Sequence, residues 1–253
     1  MSVPQPNTAV LEQAIEAVVA LRRDGAIVHC VTNTVAQNFT ANVLLACGAT
    51  PSMTVSPQEV PYFSQRADGV LINLGTLDEP RKEAMRLSAK QCSATRKPLV
   101  IDPVMCHVSP PRLEFAKELL ANNPHIVRAN ADETNALLDA GVSLDNIVHV
   151  KTGAIDSVQY DGDSKTISNG HPWLSRVTAV GCAQGALMAA LISKVDDGQK
   201  ANSVAAIAAL VWMGVSGEIA AANATGPGSF QTALLDVLHS VSPKTLKQFA
   251  RIT

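Results

Sequence analysis

The sequence predicts an α/β fold, a mostly parallel central sheet flanked by helices on both faces in three αβα layers. Three observations predict it. Short β-branched runs alternate along most of the chain with longer segments of helical spacing. The runs are apolar throughout, as strands covered on both faces must be. The 253 residues are 47% hydrophobic and 17% charged, enough apolar material for a sizeable core and too much for a disordered chain. No compositional break or Ser/Pro-rich linker divides residues 1–253, so they read as one domain.

The elements follow in order. Val10, Leu11, Ala14, Val18 and Leu21 recur at three and four residues, an amphipathic helix capped by Asn7 or Thr8 and stopped by Gly25. Ala26 to Val31 has strand length. Val35 to Cys47 is helical, with Phe39, Val43, Leu44 and Cys47 on one face and Gly48 as its stop. Gly69 to Leu74 is a buried strand, followed by Gly75-Thr76 and a helix from Glu79 to about Ala94. Pro98 to Asp102 is a strand, and the helix from Pro111 to Leu120 has proline in its first turn. A strand at His125 to Ala129, a helix at Ala131 to Ala140 and a strand at Asn146 to Lys151 continue the alternation. Gln159 to Ile167, with Tyr160-Asp161-Gly162-Asp163, reads as a β-hairpin. After Trp173 come helices at Ala183 to Val195, Asn202 to Ala222 and Phe230 to Val241. Ser203, Gly214, Ser216, Gly217 and Glu218 make the apolar stretch from Ala201 to Ala222 a buried helix rather than a membrane span.

Composition excludes several function classes. A net charge of -2 and 4% aromatic residues argue against nucleic acid or an anionic membrane as partner. The five cysteines, Cys30, Cys47, Cys92, Cys106 and Cys182, form no C-x-x-C pair. They suit a reducing cytoplasm better than a disulfide framework or a zinc site. Met1 to Asn7 is polar, with no basic stretch leading into an apolar run, unlike a secretory signal.

In a parallel sheet, ligands gather beyond the carboxyl ends of the strands. Those ends carry Thr32-Asn33, Asn73 to Gly75, Asp102, Arg128 to Asn130 and Thr152-Gly153. Val177 to Ala183 leads into a helix, where free N–H groups and the helix dipole favour an anion such as phosphate. A thiol there, Cys182, is expected to have its pKa lowered towards neutrality; a buried structural cysteine fits the same Gly-Cys pair. Arg128 suits phosphate oxygens. Asn130 and Glu133 either help hold hydrated Mg2+ near a triphosphate or close a capping box, and the two roles are compatible.

Several motifs taken together resemble the hydroxyethylthiazole kinase family of the ribokinase-like superfamily. They are Val31-Thr32-Asn33, Asn38 to Asn42, Leu44 to Met53, Leu71 to Leu77, Asp102-Pro103-Val104, Arg128 to Glu133, Thr152-Gly153, Gly181-Cys182 and Gly226 to Phe230, spanning about residue 26 to about residue 240. The resemblance implies a ribokinase-like fold and transfer of the ATP γ-phosphate to 4-methyl-5-(2-hydroxyethyl)thiazole for thiamin salvage. It implies Met53, Asn33 and Ala179 on the thiazole side and Arg128, Asn130 and Thr152 on ATP. It also implies Glu133 and Asp102 near Mg2+, and Cys182 as the base in an anion hole with Gly181. A homotrimer with shared thiazole sites is implied as well.

Two departures from the family pattern stand out. Its anion hole usually reads Gly-Thr-Gly-Cys or Gly-Ala-Gly-Cys, whereas this chain has Ala179-Val180-Gly181-Cys182. Glycine serves where φ is positive or a ligand comes close, so Ala179 is expected to narrow the site. The family also carries a further loop and helix where this chain has only Gly141 to Asp145, so a patch there should be exposed or covered by another subunit. These departures keep two other readings open, a weakened ligand-binding homologue and a kinase for a related alcohol such as hydroxymethylpyrimidine. His107, where the family has Gly-Ala, reads as a surface or capping group.

Overall fold

The computed structural model describes residues 6–196 and 198–253; most of the polar opening stretch from Met1 to Asn7 lies outside the described residues. Helix α1 (Pro6–Asp24) leads into β1 (Ile27–Val31), α2 (Gln37–Ala46), β2 (Thr50–Ser52), α3 (Val60–Arg66) and β3 (Gly69–Asn73). Then come α4 (Glu79–Thr95), β4 (Leu99–Asp102), α5 (Pro110–Leu120), β5 (Ile126–Asn130), α6 (Ala131–Asp139) and β6 (Val148–Thr152). The hairpin is β7 (Asp156–Tyr160) and β8 (Asp163–Ile167), and α7 (Val180–Ile192), α8 (Gln199–Ala222), α9 (Pro227–Ser240) and α10 (Pro243–Phe249) close the chain.

The eight strands form one sheet in the order β2-β1-β3-β4-β5-β6-β7-β8. The first six run parallel, and the hairpin extends the sheet antiparallel. Strands β3 and β4 are buried along their whole length, so alternate side chains feed two cores. Leu71, Val100 and Ile126 join α1, α2, α7, α8 and α9 on one face. Val70, Ile72, Leu99, Ile101 and Val127 join α3, α4, α5 and α6 on the other. Helix α8 is long and apolar enough to cross a membrane, yet it is largely enclosed by α1, α7, α9 and the sheet, as a core helix.

Several boundaries differ from the sequence expectation. Helix α1 starts at Pro6, before either expected cap, and Asn7 instead reaches the Ile252 carbonyl at 3.4 Å. Helix α7 starts at Val180, so Gly181 and Cys182 lie inside its first turn rather than ahead of it. The sequence puts both in the turn ahead of a helix beginning near Ala183; the tertiary contacts described below account for a glycine within the helix. Strand β2, α3, α10 and a 3-10 turn at Pro172–Arg176 carry no clear periodic signal, because each is seven residues or shorter.

The short link between α6 and β6 leaves a groove of about 880 Å3. Period-two alternation turns His149, Lys151, Ser157, Gln159, Ser164 and Thr166 to this outer face of β6 to β8. All are polar. His149 is buried and joins Thr134 Oγ1 through Nε2 at 3.0 Å and Gln159 Oε1 through Nδ1 at 3.2 Å. Within the single chain the patch beside the short link is open, and its sheet side is polar. Leu138, half exposed at its rim, tests this. Leu138→Glu is expected to shift stability by less than about 0.5 kcal/mol. That corresponds to a Tm change of at most about 2 °C, with unchanged mass by light scattering; dissociation of an oligomer would show the groove to be a subunit contact.

Candidate active site

Strand order reverses at β1 and β3, because α2 packs on one face of the sheet and α3 on the other. The crevice beyond these strands is the switch point at which open α/β sheets bind ligands. Asn33 follows β1 and Asn73 ends β3, so the two flank the crevice. The register pairs Asn73 with Asp102 and Asn130 with Thr152. The pair beyond Ile101 and Val127 is Asp102 with Arg128. Asn73, Asp102 and Arg128 stand two residues beyond Leu71, Val100 and Ile126, so alternation turns all three to the face that α7 covers.

The first turn of α7 meets this row. Its cap, Ala179, has φ 69 and ψ 4, in the left-handed region, so the sequence expectation of a glycine-type position holds and alanine there carries strain. A Cβ added at Gly181 would lie 2.7 Å from Arg128 Nη2 and 3.0 Å from Cζ. Any larger residue at 181 would push the guanidinium, the far end of a flexible side chain, off the helix start. Arg128 is held by Nε donating to Gln184 Oε1 at 3.1 Å and Nη1 facing Asp102 Oδ2 at 3.4 Å. A cation and the positive end of a helix dipole thus share one place, where an anion relieves both.

Cys182 lies one residue further on. Its sulfur accepts N–H groups from Asn73 Nδ2 at 3.3 Å and Asn33 Nδ2 at 3.6 Å. Burial pushes the thiol up to about 11, the Asp102 charge adds to this, and Arg128 and the two amides oppose it. The expectation of a thiol lowered towards neutrality is corrected here, because desolvation outweighs the helix terminus. The other four cysteines are buried and free.

Three carboxylates approach the guanidinium row. Asp102 is fully buried, and burial raises it to about 6 despite Arg128. Its Oδ1 has no hydrogen-bond partner. Asp156 accepts the Gly153 N–H at 2.9 Å and is raised by burial. Glu133 and Asn130 close a full capping box, with Glu133 N–H on Asn130 Oδ1 at 2.9 Å and Asn130 N–H on Glu133 Oε2 at 2.8 Å. Glu133 Oε1 accepts the Met105 N–H at 2.7 Å. Among the described residues no cluster of three metal-ligating side chains occurs. Mg2+ binds through one or two carboxylates plus phosphates and water, so the orphaned Asp102 oxygen fits it, with Glu133 behind.

Thr152 donates to the Ala129 carbonyl at 3.5 Å beside Asn130. Met53 follows edge strand β2, packs on the α7-side core, and has its carbonyl 3.5 Å from Gln37 Nε2. His107 is exposed on the loop after β4. The structure thus brings Cys182, Gly181, Ala179, Arg128, Asn33 and Asp102 to one crevice. Asn130, Glu133 and Thr152 adjoin it, and Met53 stands further out. Thr76 and Met105, with φ 50 and 59, join Ala179 as left-handed non-glycine residues at this edge. Asn73 and Gln184 were legible only as a strand-end amide and a helix residue; their contacts with Cys182 and Arg128 have no local sequence signal.

Comparisons with known proteins show the family. The model of the hydroxyethylthiazole kinase family matches residues 18–145 and 140–244, two segments that meet at the short link after α6. A probable hydroxyethylthiazole kinase of Agrobacterium fabrum is 39% identical over 252 residues, covering 100% of this chain and 98% of that protein. The solved hydroxyethylthiazole kinase protein of Pyrococcus horikoshii superposes with a TM-score of 0.87 at 33% identity, covering 96% of this chain and 98% of that one. A ribokinase-like superfamily protein of Enterococcus faecalis, 11% identical over 94% of this chain with a TM-score of 0.58, shares the fold.

Two measurements check the site. Ala179→Gly removes a left-handed Cβ and is expected to stabilise the protein by about 1 kcal/mol. The corresponding rise in Tm is roughly 2–4 °C, and a fall would contradict the backbone reading. Asp102 has its folded-state pKa raised from 3.8 to about 6, so the folded state binds the proton more tightly and the wild type loses stability as pH rises through that window. The Tm of Asp102→Asn relative to wild type should therefore rise between about pH 4 and pH 6; a constant difference would contradict the burial of this charge.

Proposed function

The chain belongs to the hydroxyethylthiazole kinase family, and we propose that it transfers the γ-phosphate of ATP to the primary alcohol of 4-methyl-5-(2-hydroxyethyl)thiazole, with Mg2+, for thiamin salvage. One observation carries the mechanism: the α7 N-terminus, the Arg128 guanidinium and the Cys182 thiol converge at the switch point.

Phosphoryl transfer passes through a loose transition state, so charge stabilisation and positioning supply most of the acceleration. Arg128 and the unpaired N–H groups of α7 meet the phosphate oxygens where negative charge gathers. Asn130 and Thr152, paired across β5 and β6, line the nucleotide side. Asp102, with one oxygen unpartnered, would hold Mg2+, and Glu133, both oxygens already on backbone N–H groups, would support it. When bound, Mg2+ would supply positive charge that neutralises the polyphosphate.

Cys182 carries its proton at neutral pH and first orients the alcohol. The Asp102 charge is one cause that keeps the thiol protonated. Neutralising it lets the thiol give its proton to solvent, and the thiolate takes the alcohol proton as the new O–P bond forms and the bond from phosphorus to the ADP oxygen breaks. Met53 supplies a soft thioether to the thiazole ring, with Asn33 and Ala179 on the same side. The reading makes the protein a cytoplasmic homotrimer whose neighbouring subunits complete the thiazole site. Exposed Val35, Leu45 and Tyr62 on the segments flanking β2 support a contact there.

Purified protein with MgATP is expected to form thiazole phosphate and ADP, to stop when EDTA is added, and to have a trimer's mass by light scattering. Product from hydroxymethylpyrimidine only, or from neither alcohol, would overturn the assignment. Cys182→Ser should lower turnover by about 10-fold or more while leaving the KM for ATP nearly unchanged; wild-type turnover across pH would remove the base role.

A further inference from the structure

We propose that Asn73 is a positioning residue for this reaction, an amide that holds the Cys182 sulfur so that its free side faces the acceptor alcohol. The inference rests on the phosphoryl-transfer reading and adds a residue to it.

The orientation of the Asn73 amide follows from its neighbours. The Gly75 N–H can only donate, and it lies 3.2 Å from Asn73 Oδ1. The opposite atom, which points at Cys182 Sγ from 3.3 Å, is therefore the NH2 group. Asn33 is fixed in the same way, because the Ala36 N–H donates to its Oδ1 at 2.9 Å. Its Nδ2 then faces both Asn73 Oδ1, at 2.8 Å, and Cys182 Sγ, at 3.6 Å. The sulfur thus meets two donors and no acceptor in this amide pair. A thiolate accepts in several directions, and two of them are taken.

The arrangement is tightly built. Asn73 is fully buried. A Cβ on Gly75 would come within 2.7 Å of Asn33 Cβ, so that turn must be glycine for the two amides to meet. The Asn73 oxygen is taken by Gly75 and Asn33, and its NH2 group is shared between Cys182 and the neighbouring Asp102 carboxylate, which leaves the amide turned to the thiol rather than to substrate. An amide that only joined Gly75, Asn33 and Asp102 would have no need to reach a sulfur as well.

The test is a double-mutant cycle with MgATP and the thiazole alcohol, using Asn73→Ala, Cys182→Ala and the pair. Asn73→Ala is expected to lower kcat by about 10-fold or more, with both KM values within about threefold. In the Cys182→Ala background the same change should cost less than about twofold, because its partner is gone. An equal loss in both backgrounds would overturn the proposal and leave Asn73 a structural residue.

A second measurement needs no kinase activity, and so separates failure of this proposal from failure of the reaction assignment. Asn73→Asp keeps an oxygen for Gly75 and Asn33 but replaces the donor facing sulfur, with folding checked by circular dichroism. Alkylation of Cys182 by iodoacetamide, followed by mass spectrometry at one pH, should be at least about threefold slower than in wild type. An equal or faster rate would overturn the proposal.

Discussion

The contact between the Arg128 guanidinium and the backbone of Gly181 organises the site. It brings a cation against the first turn of a helix whose dipole is already positive there. That arrangement is costly without an anion and favourable with one, which is the electrostatic description of a phosphate site. Its geometry has three supports: a glycine where any Cβ would collide, Gln184 holding Nε, and Asp102 facing Nη1. The parallel register supplies the last of these, since adjacent strand ends bring Asp102 beside Arg128.

The same burial that sharpens this field sets the acid–base state of the crevice. Asp102 is raised to about 6 and Cys182 to about 11, and each lies near the guanidinium that opposes the shift. The site at rest thus holds its thiol proton and keeps one carboxylate oxygen unsatisfied. Binding of a cation and a polyphosphate answers both conditions together. The outer face of β6 to β8 is polar instead, with the buried His149 joined to Thr134 and Gln159 beneath the short link after α6.

The layered fold was legible because β3 and β4 are buried on both faces and their apolar runs say so. The line of candidate residues was legible for a related reason: strand ends are where the alternation of the core breaks into polar residues. Short elements such as β2 and α3 were not, since three or seven residues carry too little periodicity. The start of α7 was misread because Gly181 serves a tertiary contact inside a helix. The thiol's acidity was misjudged because the dipole is visible in sequence and desolvation is not. The capping box at Asn130 and Glu133 was one of two readings the spacing allowed, and the fold adopts it without excluding the other.

The most direct measurement of the central claim is the affinity of a non-hydrolysable ATP analogue with Mg2+ for the wild type, Arg128→Gln and Gly181→Ala, read by calorimetry. A charge-assisted phosphate contact contributes about 1.5–3 kcal/mol, so each variant should bind roughly 10-fold or more weakly. Gly181→Ala should fail although it removes no charge, because its Cβ displaces the guanidinium. Wild-type affinity in both variants would mean that the phosphates bind elsewhere and would contradict the account.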